Sequence, residues 1–372
     1  MDFEFSSDAL MLRDMLRRFV QKEAQPLEMK YFTAGRLEPE QSARLRRSIE
    51  QLGLWGLTAP EQYGGGGLDL VTGCVIQEEL GQTFIPVDIG EISPLLYACD
   101  GEQVSQYLEP ALAGERHLVL AAREPGKPRP QEWLTRAVEA DGKSFFLNGD
   151  KVIASQPGKD DFFIVFAQAP AGLTAFLLDV DQPGTQVCSN GAFSLKLSDC
   201  RVGPEAVLGQ LGEALKLVPE EAPRAWIEMG ARYVGITQRL LDMAVAYARD
   251  WMVLGEPLAV RPAIQRMVAE LSVELESTRW LVYHAAWLVD SGGAKENRLA
   301  AMQVRLAAGE MLKRAVDRVT MIFAGPGPSG SIDPQRFVRS AVPFDALELS
   351  LEYARAAISN EVLGLDHLGG GS

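Results

Sequence analysis

The chain reads as an α+β protein, mostly α. The division expected is a helical N-terminal domain over 1–116, a small middle β domain over 117–208, a C-terminal four-helix bundle over 209–366 and a flexible tail over 367–372. Three observations point there. In the first third, apolar residues recur at helical spacing. Between His117 and Leu208 they gather into short runs parted by Gly, Pro, Asn and Asp. After Pro223, four long helical patterns follow one another. The order is helices, strands, helices, which is not the strand–helix alternation of a doubly wound sheet.

Each element has its own signal. In LRDMLRRFVQKEAQPLE, Leu12, Met15, Leu16 and Phe19 fall near one helix face and the charges on the other. SARLRRSIEQLGLWGL and TGCVIQEELGQ repeat the pattern. HLVLAAREP, KSFFLNGDKVIAS, DFFIVFAQ and LTAFLLDVD are rich in Phe, Val and Leu and are bounded by turn residues, so they read as strands. The bundle segments are Arg224 to Val253, Pro262 to Asp290, Asn297 to Phe323 and roughly Phe344 to Leu363.

Four consecutive glycines, Gly64 to Gly67, raise the question of a phosphate loop. A dinucleotide-binding loop follows a strand, opens a helix within a βαβ unit and spaces its glycines. This run lies between helical patterns and has no such spacing, so a turn is expected.

Composition excludes several functions. The 372 residues carry a formal net charge of −14, which lacks the basic footprint of a nucleic-acid-binding protein. No apolar run reaches membrane-span length and no signal-peptide pattern opens the chain. The four cysteines form no CxxC pair and the three histidines no HExxH. Neither a metal site nor a disulfide framework is expected, and a reducing cytoplasm fits. His284, in WLVYHAAWL, reads as a buried or partly buried histidine with its hydrogen bonds satisfied.

Taken in order, LGLWGLTAPEQYGGGGLDL, NGDKVIASQPGKDDFFIVFAQ, CRVGPEAVLG, GITQRLLDMAVAYARD, GPGPSGSIDPQRFVRSA and ISNEVLG resemble the acyl-CoA dehydrogenase family over nearly the whole chain. EELGQTFIPVD resembles a branch that acts on bulky or unusual acyl groups, some of whose members pair unlike subunits. The resemblance implies FAD-dependent α,β-dehydrogenation of an acyl-CoA thioester, reoxidation by an electron-transfer flavoprotein, and either a homo-oligomer or a heterotetramer with a related subunit.

The same resemblance assigns candidate residues. Counting back without a gap from Glu361-Val362-Leu363-Gly364 puts Glu348 at the catalytic base, followed by Leu349 and Ser350 where the family has glycine and threonine. A second family solution, a base on the first bundle helix, aligns with Ala225. Glu228 lies one turn further on the same face, with an ion pair to Arg224 or Arg232 as its alternative reading. For flavin, Ser155, Gly325, Gly327, Ser350 and Glu352 match family positions. Other positions depart from the family: Arg123 stands for threonine and Ile153 for tryptophan. Trp251-Met252-Val253-Leu254-Gly255 stands for Arg-x-Gln-Phe-Gly, the segment that reaches across a subunit interface to the ADP part of FAD. Met321 stands for glutamine. These departures frame the alternative of a degenerate or half-site subunit. Between KVIAS and VGPEAVLG, the β domain also lacks the stretch that in the family helps hold the acyl-CoA.

Overall fold

The computed structural model describes residues 4–34, 37–127, 132–140, 142, 144–153, 156–189, 193–217, 222–292, 294–323 and 351–365. Its helices are α1 (Ser7–Phe19), α2 (Glu28–Ala34), α3 (Pro39–Gln51), α4 (Leu70–Leu80), α5 (Glu109–Leu112), α6 (Ala214–Leu217), α7 (Ala222–Asp250), α8 (Pro262–Asp290), α9 (Ala294–Ile322) and α10 (Leu351–Leu363). Its strands are β1 (Leu118–Ala121), β2 (Arg136–Ala140), β3 (Ser144–Val152), β4 (Phe162–Ala169), β5 (Gly172–Asp179), β6 (Thr185–Ser189), β7 (Phe193–Val202), β8 (Val207–Leu208), β9 (Met252–Val253) and β10 (Glu256–Pro257). The mostly helical α+β class read from the sequence is the class observed.

The chain forms two compact units. The first gathers Met1–Leu54, Leu68–Asp88 and Pro223–Ser372, and so holds α1–α4 with the long helices α7–α10. α1 starts at Ser6, whose hydroxyl accepts from Ala9 N. α3 starts at Pro39 behind a Glu38–Gln41 capping box. α4 is buried along almost its whole length, as expected of a helix apolar on every side. Two aspartates cap it. Asp69 accepts from Thr72 N at 2.7 Å, and Asp290, at the end of α8, accepts from Leu70 N at 2.9 Å and Val71 N at 3.1 Å. Two backbone donors with no partner inside the helix are thereby tied to a residue more than two hundred positions away.

Glycines set the helix contacts of this unit. A Cβ on Gly235 of α7 would stand 1.9 Å from the Glu78 carbonyl oxygen, and one on Gly81 would stand 2.3 Å from the Arg232 carbonyl oxygen. The backbones of α7 and the end of α4 therefore touch. A Cβ on Gly230 would meet Val304 of α9 at 2.3 Å, and one on Gly309 would meet Leu351 of α10 at 2.9 Å.

The second unit, Trp55–Gly67 with Ile89–Ala222, is built on one sheet. Its strand order is β6-β7-β3-β2-β4-β5-β8, with β1 parallel to β4. β4 is buried on both faces. Phe163, Val165 and Ala167 join one core with Phe145, Phe176 and Leu195, while Phe162, Ile164 and Phe166 join another with Tyr107, Trp133 and Leu177. That is why DFFIVFAQ is continuously apolar instead of alternating.

The four glycines make a turn, as expected. Gly64 has φ +83° and Gly67 φ +56°. Gly64 N donates to Glu61 O, Gly65 N to Pro60 O, Gly66 N to Leu57 O and Gly67 N to Ala59 O. All four N–H groups are engaged within the turn, whereas a phosphate cradle needs them pointing at the ligand.

One expectation is corrected. His284 is exposed, not buried, with its ring beside Trp287 (centroids 6.2 Å apart). It lies on the outer face of α8, whereas its neighbours Tyr283, Ala285 and Ala286 face inward.

Gly235→Ala forces a methyl into the Glu78 carbonyl, so about 3 kcal/mol or more of stability should be lost. Urea unfolding should show a lower midpoint at an unchanged slope.

Candidate active site

On α7, Ala225 is exposed and Glu228 is half-buried. Glu228 faces α4: a Cβ on Gly73 would stand 3.0 Å from its Oε1. The missing side chain at Gly73 makes the room. Burial pushes the thiol of neighbouring Cys74 well above its ordinary pKa, and the negative charges of Glu228, Asp290 and Glu78 add to the shift. Glu228 is thus a carboxylate set against a buried helix. Of the two arginines at ion-pairing spacing, Arg232 donates to Gln77 Oε1 at 3.2 Å.

Further along the same helices, Glu78 accepts from Arg279 Nε at 2.9 Å and from the Tyr283 hydroxyl at 2.8 Å, and Arg279 also donates to Gln238. Burial, with Glu78 beside it, pushes the Tyr283 phenol upward. Arg17 binds the buried Glu79 at 2.5 Å. These groups line a cavity of about 480 Å³ among α1, α4, α7 and α8. Opposite charges face each other around it, so it is an internally matched polar network and not a base poised beside an acidic proton.

In the sheet unit, Arg123 opens the Glu-Pro turn. Lys151, next to the end of β3, has a fully buried side chain. Its Nζ donates to Ala122 O at 3.0 Å and Glu124 Oε1 at 3.1 Å, and sits 4.7 Å from the centre of the Trp133 ring. Glu124 also accepts from Leu134 N at 2.6 Å and Thr135 N at 2.7 Å. Burial alone would raise the Glu124 pKa. The Leu134 and Thr135 N–H groups and the Lys151 charge outweigh burial and hold it below its ordinary value. Burial lowers Lys151 to about 8 despite Glu124. Val152 N donates to Arg123 O, so the residues on both sides of Arg123 and its own carbonyl are pinned by β3. Ile153, in place of the family tryptophan, is buried. Sequence reasoning passed over Lys151 and Glu124. The available signal was a lysine inside the apolar strand FFLNGDKVI.

At the end of α7, β9 and β10 form a hairpin whose turn residues have positive φ: Leu254 at +54° and Gly255 at +84°. Arg261 Nη2 donates to Val253 O at 2.7 Å. The hairpin presents Trp251, Met252 and Leu254 to the outside, with Leu254 92% exposed. Tyr247 is stacked between Trp251 and Phe323, and Met321 of α9 is exposed. Glu352 is exposed on the first turn of α10 and pairs with Arg355 at 2.6 Å, which also holds Glu310 of α9 at 2.6 Å. Glu348, Ser155, Gly325, Gly327 and Ser350 lie outside the described residues.

The ADP part of FAD is doubly anionic and calls for cations or amides. Trp251, Met252, Val253 and Leu254 supply neither, and Arg261 is engaged with the hairpin's own backbone. The hairpin does not fit that half of the cofactor.

Among the described residues, no group of three His, Cys, Asp or Glu side chains could hold a metal ion, and no helix is long and apolar enough to cross a membrane.

The family model for the acyl-CoA dehydrogenase N-terminal domain matches residues 6–115, and that for the C-terminal domain matches residues 224–363. The chain is 31% identical to (R)-benzylsuccinyl-CoA dehydrogenase of Thauera aromatica, covering 98% of this chain and 97% of that one. It is 29% identical to an acyl-CoA dehydrogenase of Bacillus subtilis (strain 168), over 96% and 99%. A solved structure of glutaryl-coenzyme A dehydrogenase with glutaryl-CoA superposes with a TM-score of 0.85 at 25% identity, over 98% and 97%.

Lys151→Met leaves Glu124 buried beside an apolar side chain, and about 3–5 kcal/mol of stability should be lost. The double variant with Glu124→Gln should recover much of it. The folded pKa of about 8 lies below the ordinary 10.5. Between those values the unfolded chain binds more protons, so stability from this group rises with pH across that window. Unfolding measured from pH 8 to 10.5 should show the rise in the unaltered chain and lack it in Lys151→Met.

Proposed function

The chain belongs to the acyl-CoA dehydrogenase family, and from that premise we propose that it serves the α,β-dehydrogenation of an acyl-CoA thioester, with Glu348 as the base. Members of the family are flavin-dependent CH–CH oxidoreductases, and bound FAD would supply the acceptor for the hydride that leaves the β carbon. The part assigned to this chain's own carboxylate is the α proton. That proton is weakly acidic, so the base must stand close to it in a site that excludes water. A carboxylate in such surroundings has a raised pKa, which suits removal of a proton from carbon near neutral pH.

The observation that carries the assignment is the register of the chain's end. α10 runs unbroken from Leu351 to Leu363. Leu351 is buried against Gly309, and Arg355 is held by Glu310. The ungapped count from Glu361 back to Leu351 therefore follows one continuous helix fixed to α9, and Glu348 stands three residues ahead of it in the sequence. Glu228, facing α4 from α7, is the alternative base. An acyl group larger than a short straight chain is the first substrate class to test, because the benzylsuccinyl-CoA relative carries that name. An electron-transfer flavoprotein is the proposed reoxidant.

A second reading is favoured by the hairpin. Its apolar exposed residues align in sequence with the arginine and glutamine of the family segment, which supports a half-site subunit working in an assembly with a related chain. In that arrangement the related chain's hairpin supplies the missing contacts.

Glu348→Gln should abolish acyl-CoA-dependent reduction of an artificial electron acceptor while leaving flavin content unchanged. Unaltered turnover would transfer the role to Glu228, to be tested by Glu228→Gln. For the second reading, Trp251→Arg with Val253→Gln restores two polar contacts. Each charge-assisted contact is worth about 1.5–3 kcal/mol, so FAD affinity measured by flavin fluorescence should rise at least tenfold. No gain would remove the hairpin from cofactor binding.

A further inference from the structure

The pair Asn148–Gly149 of β3 is chemically labile. Glycine presents no side chain to hinder attack of its nitrogen on the carboxamide of the asparagine before it. Both residues are nevertheless required by the fold. Gly149 has φ +154°, and a Cβ there would stand 2.3 Å from the Thr135 hydroxyl oxygen. Asn148 lies where the pairing of β3 with β7 slips. Leu147 faces Cys200 and Gly149 faces Leu197, so Ser198 and Asp199 together stand opposite Asn148. Two hydrogen bonds close that bulge: Asp199 N donates to Asn148 Oδ1 at 2.9 Å, and Asn148 Nδ2 donates to Asp199 Oδ1 at 3.0 Å. The clasp demands an amide. A carboxylate at 148 would have no hydrogen to give and would face the Asp199 carboxylate. The clasp also holds Asp199, a non-glycine residue, in the left-handed region at φ +46°. Ser198 and Asp199 are exposed and Asn148 is half-buried, so water reaches the clasp from outside.

We propose that Asn148 is a site of spontaneous deamidation and that Asp199 is its guard. In the reaction, the Gly149 nitrogen gives its proton to solvent and attacks Asn148 Cγ. A C–N bond forms, the bond from Cγ to Nδ2 breaks, and ammonia leaves, which closes a succinimide ring. Water then opens the ring at either carbonyl and gives aspartate or isoaspartate, with no change in oxidation state. The carboxamide engaged with Asp199 is held against β7. The reaction therefore proceeds from the fraction of molecules in which this edge of the sheet has opened. The two products act on the fold differently. Aspartate sets two carboxylates across the bulge. Isoaspartate adds a carbon to the main chain three residues ahead of Lys151, whose Nζ is bonded to Ala122 O and Glu124 Oε1, and so displaces the register of the rest of β3. The liability holds whichever reaction the chain serves.

Trypsin releases Asn148 in the peptide from Ser144 to Lys151, apart from the second Asn-Gly pair, Asn190–Gly191, which lies outside the described residues. Isoaspartate in that peptide is measured by mass spectrometry and by isoaspartyl methylation, after the folded chain has stood in mildly alkaline buffer. The chain in guanidinium chloride is the unguarded reference. The folded chain should form isoaspartate about tenfold more slowly than the reference, or slower still. Asp199→Gly suits the backbone at φ +46° and removes the acceptor of Nδ2, so the folded rate should rise about fivefold or more, with circular dichroism confirming the fold. Asp199→Asn keeps an acceptor and the N–H and should stay near the unaltered rate. Asn148→Asp, which mimics one product, should lower the denaturant midpoint. Four results would each overturn the proposal: equal rates in the folded and unfolded chain, an Asp199→Gly rate no higher than the unaltered one, an Asp199→Asn rate as high as that of Asp199→Gly, or an unchanged midpoint in Asn148→Asp.

Discussion

The contact of α4 with α7 through bare backbone is the constraint on which the helical unit depends. Gly235 and Gly81 leave no room for any side chain between the Glu78 and Arg232 carbonyls and the opposing helix. Once that crossing is fixed, the positions up and down the two helices follow. Glu228 comes to lie opposite Gly73, Arg232 opposite Gln77, and Glu78 within reach of Arg279 and Tyr283. Asp290 completes the arrangement by capping α4 from the end of α8. Separation of α4 and α7 would cost dispersion contacts and would also strand the polar groups whose partners stand across the gap.

Charge is distributed to the same end in both units. The chain is acidic overall, but acids below its surface are matched: buried Glu79 by Arg17, partly buried Glu78 by Arg279 and Tyr283, buried Glu124 by Lys151 and two backbone donors. The exposed hairpin, by contrast, is apolar at Trp251, Met252 and Leu254.

The order of elements was legible because each has its own periodicity. The helical faces of α1 and α3, the unbroken apolar run of the doubly buried β4, and the glycine turn with its backbone engaged all follow from local pattern. What sequence could not supply came from distant pairing. Nothing local distinguishes Asp290 from a surface aspartate, since its role appears only when the end of α8 meets the start of α4. Lys151 sits in a strand where a lysine would ordinarily face water, and Glu124, the Ala122 carbonyl and the Trp133 ring explain its burial. His284 was expected to be partly or wholly buried because its neighbours are apolar. The helix turns that one position outward, since residues 283, 285 and 286 cover the inner face. The candidate base and most flavin positions rest on the family register, and of these Glu352 is seen as an exposed partner of Arg355.

The proposal open to the most direct test is the second reading, that this family framework carries an altered cofactor grip. The most direct measurement is the number of FAD molecules per chain in the purified protein, from its visible absorbance after saturation with FAD and desalting. The account predicts markedly less than one FAD per chain when the protein is prepared alone, rising when a related chain bearing the arginine and glutamine is added. One tightly held FAD per chain in a homo-oligomer would contradict it.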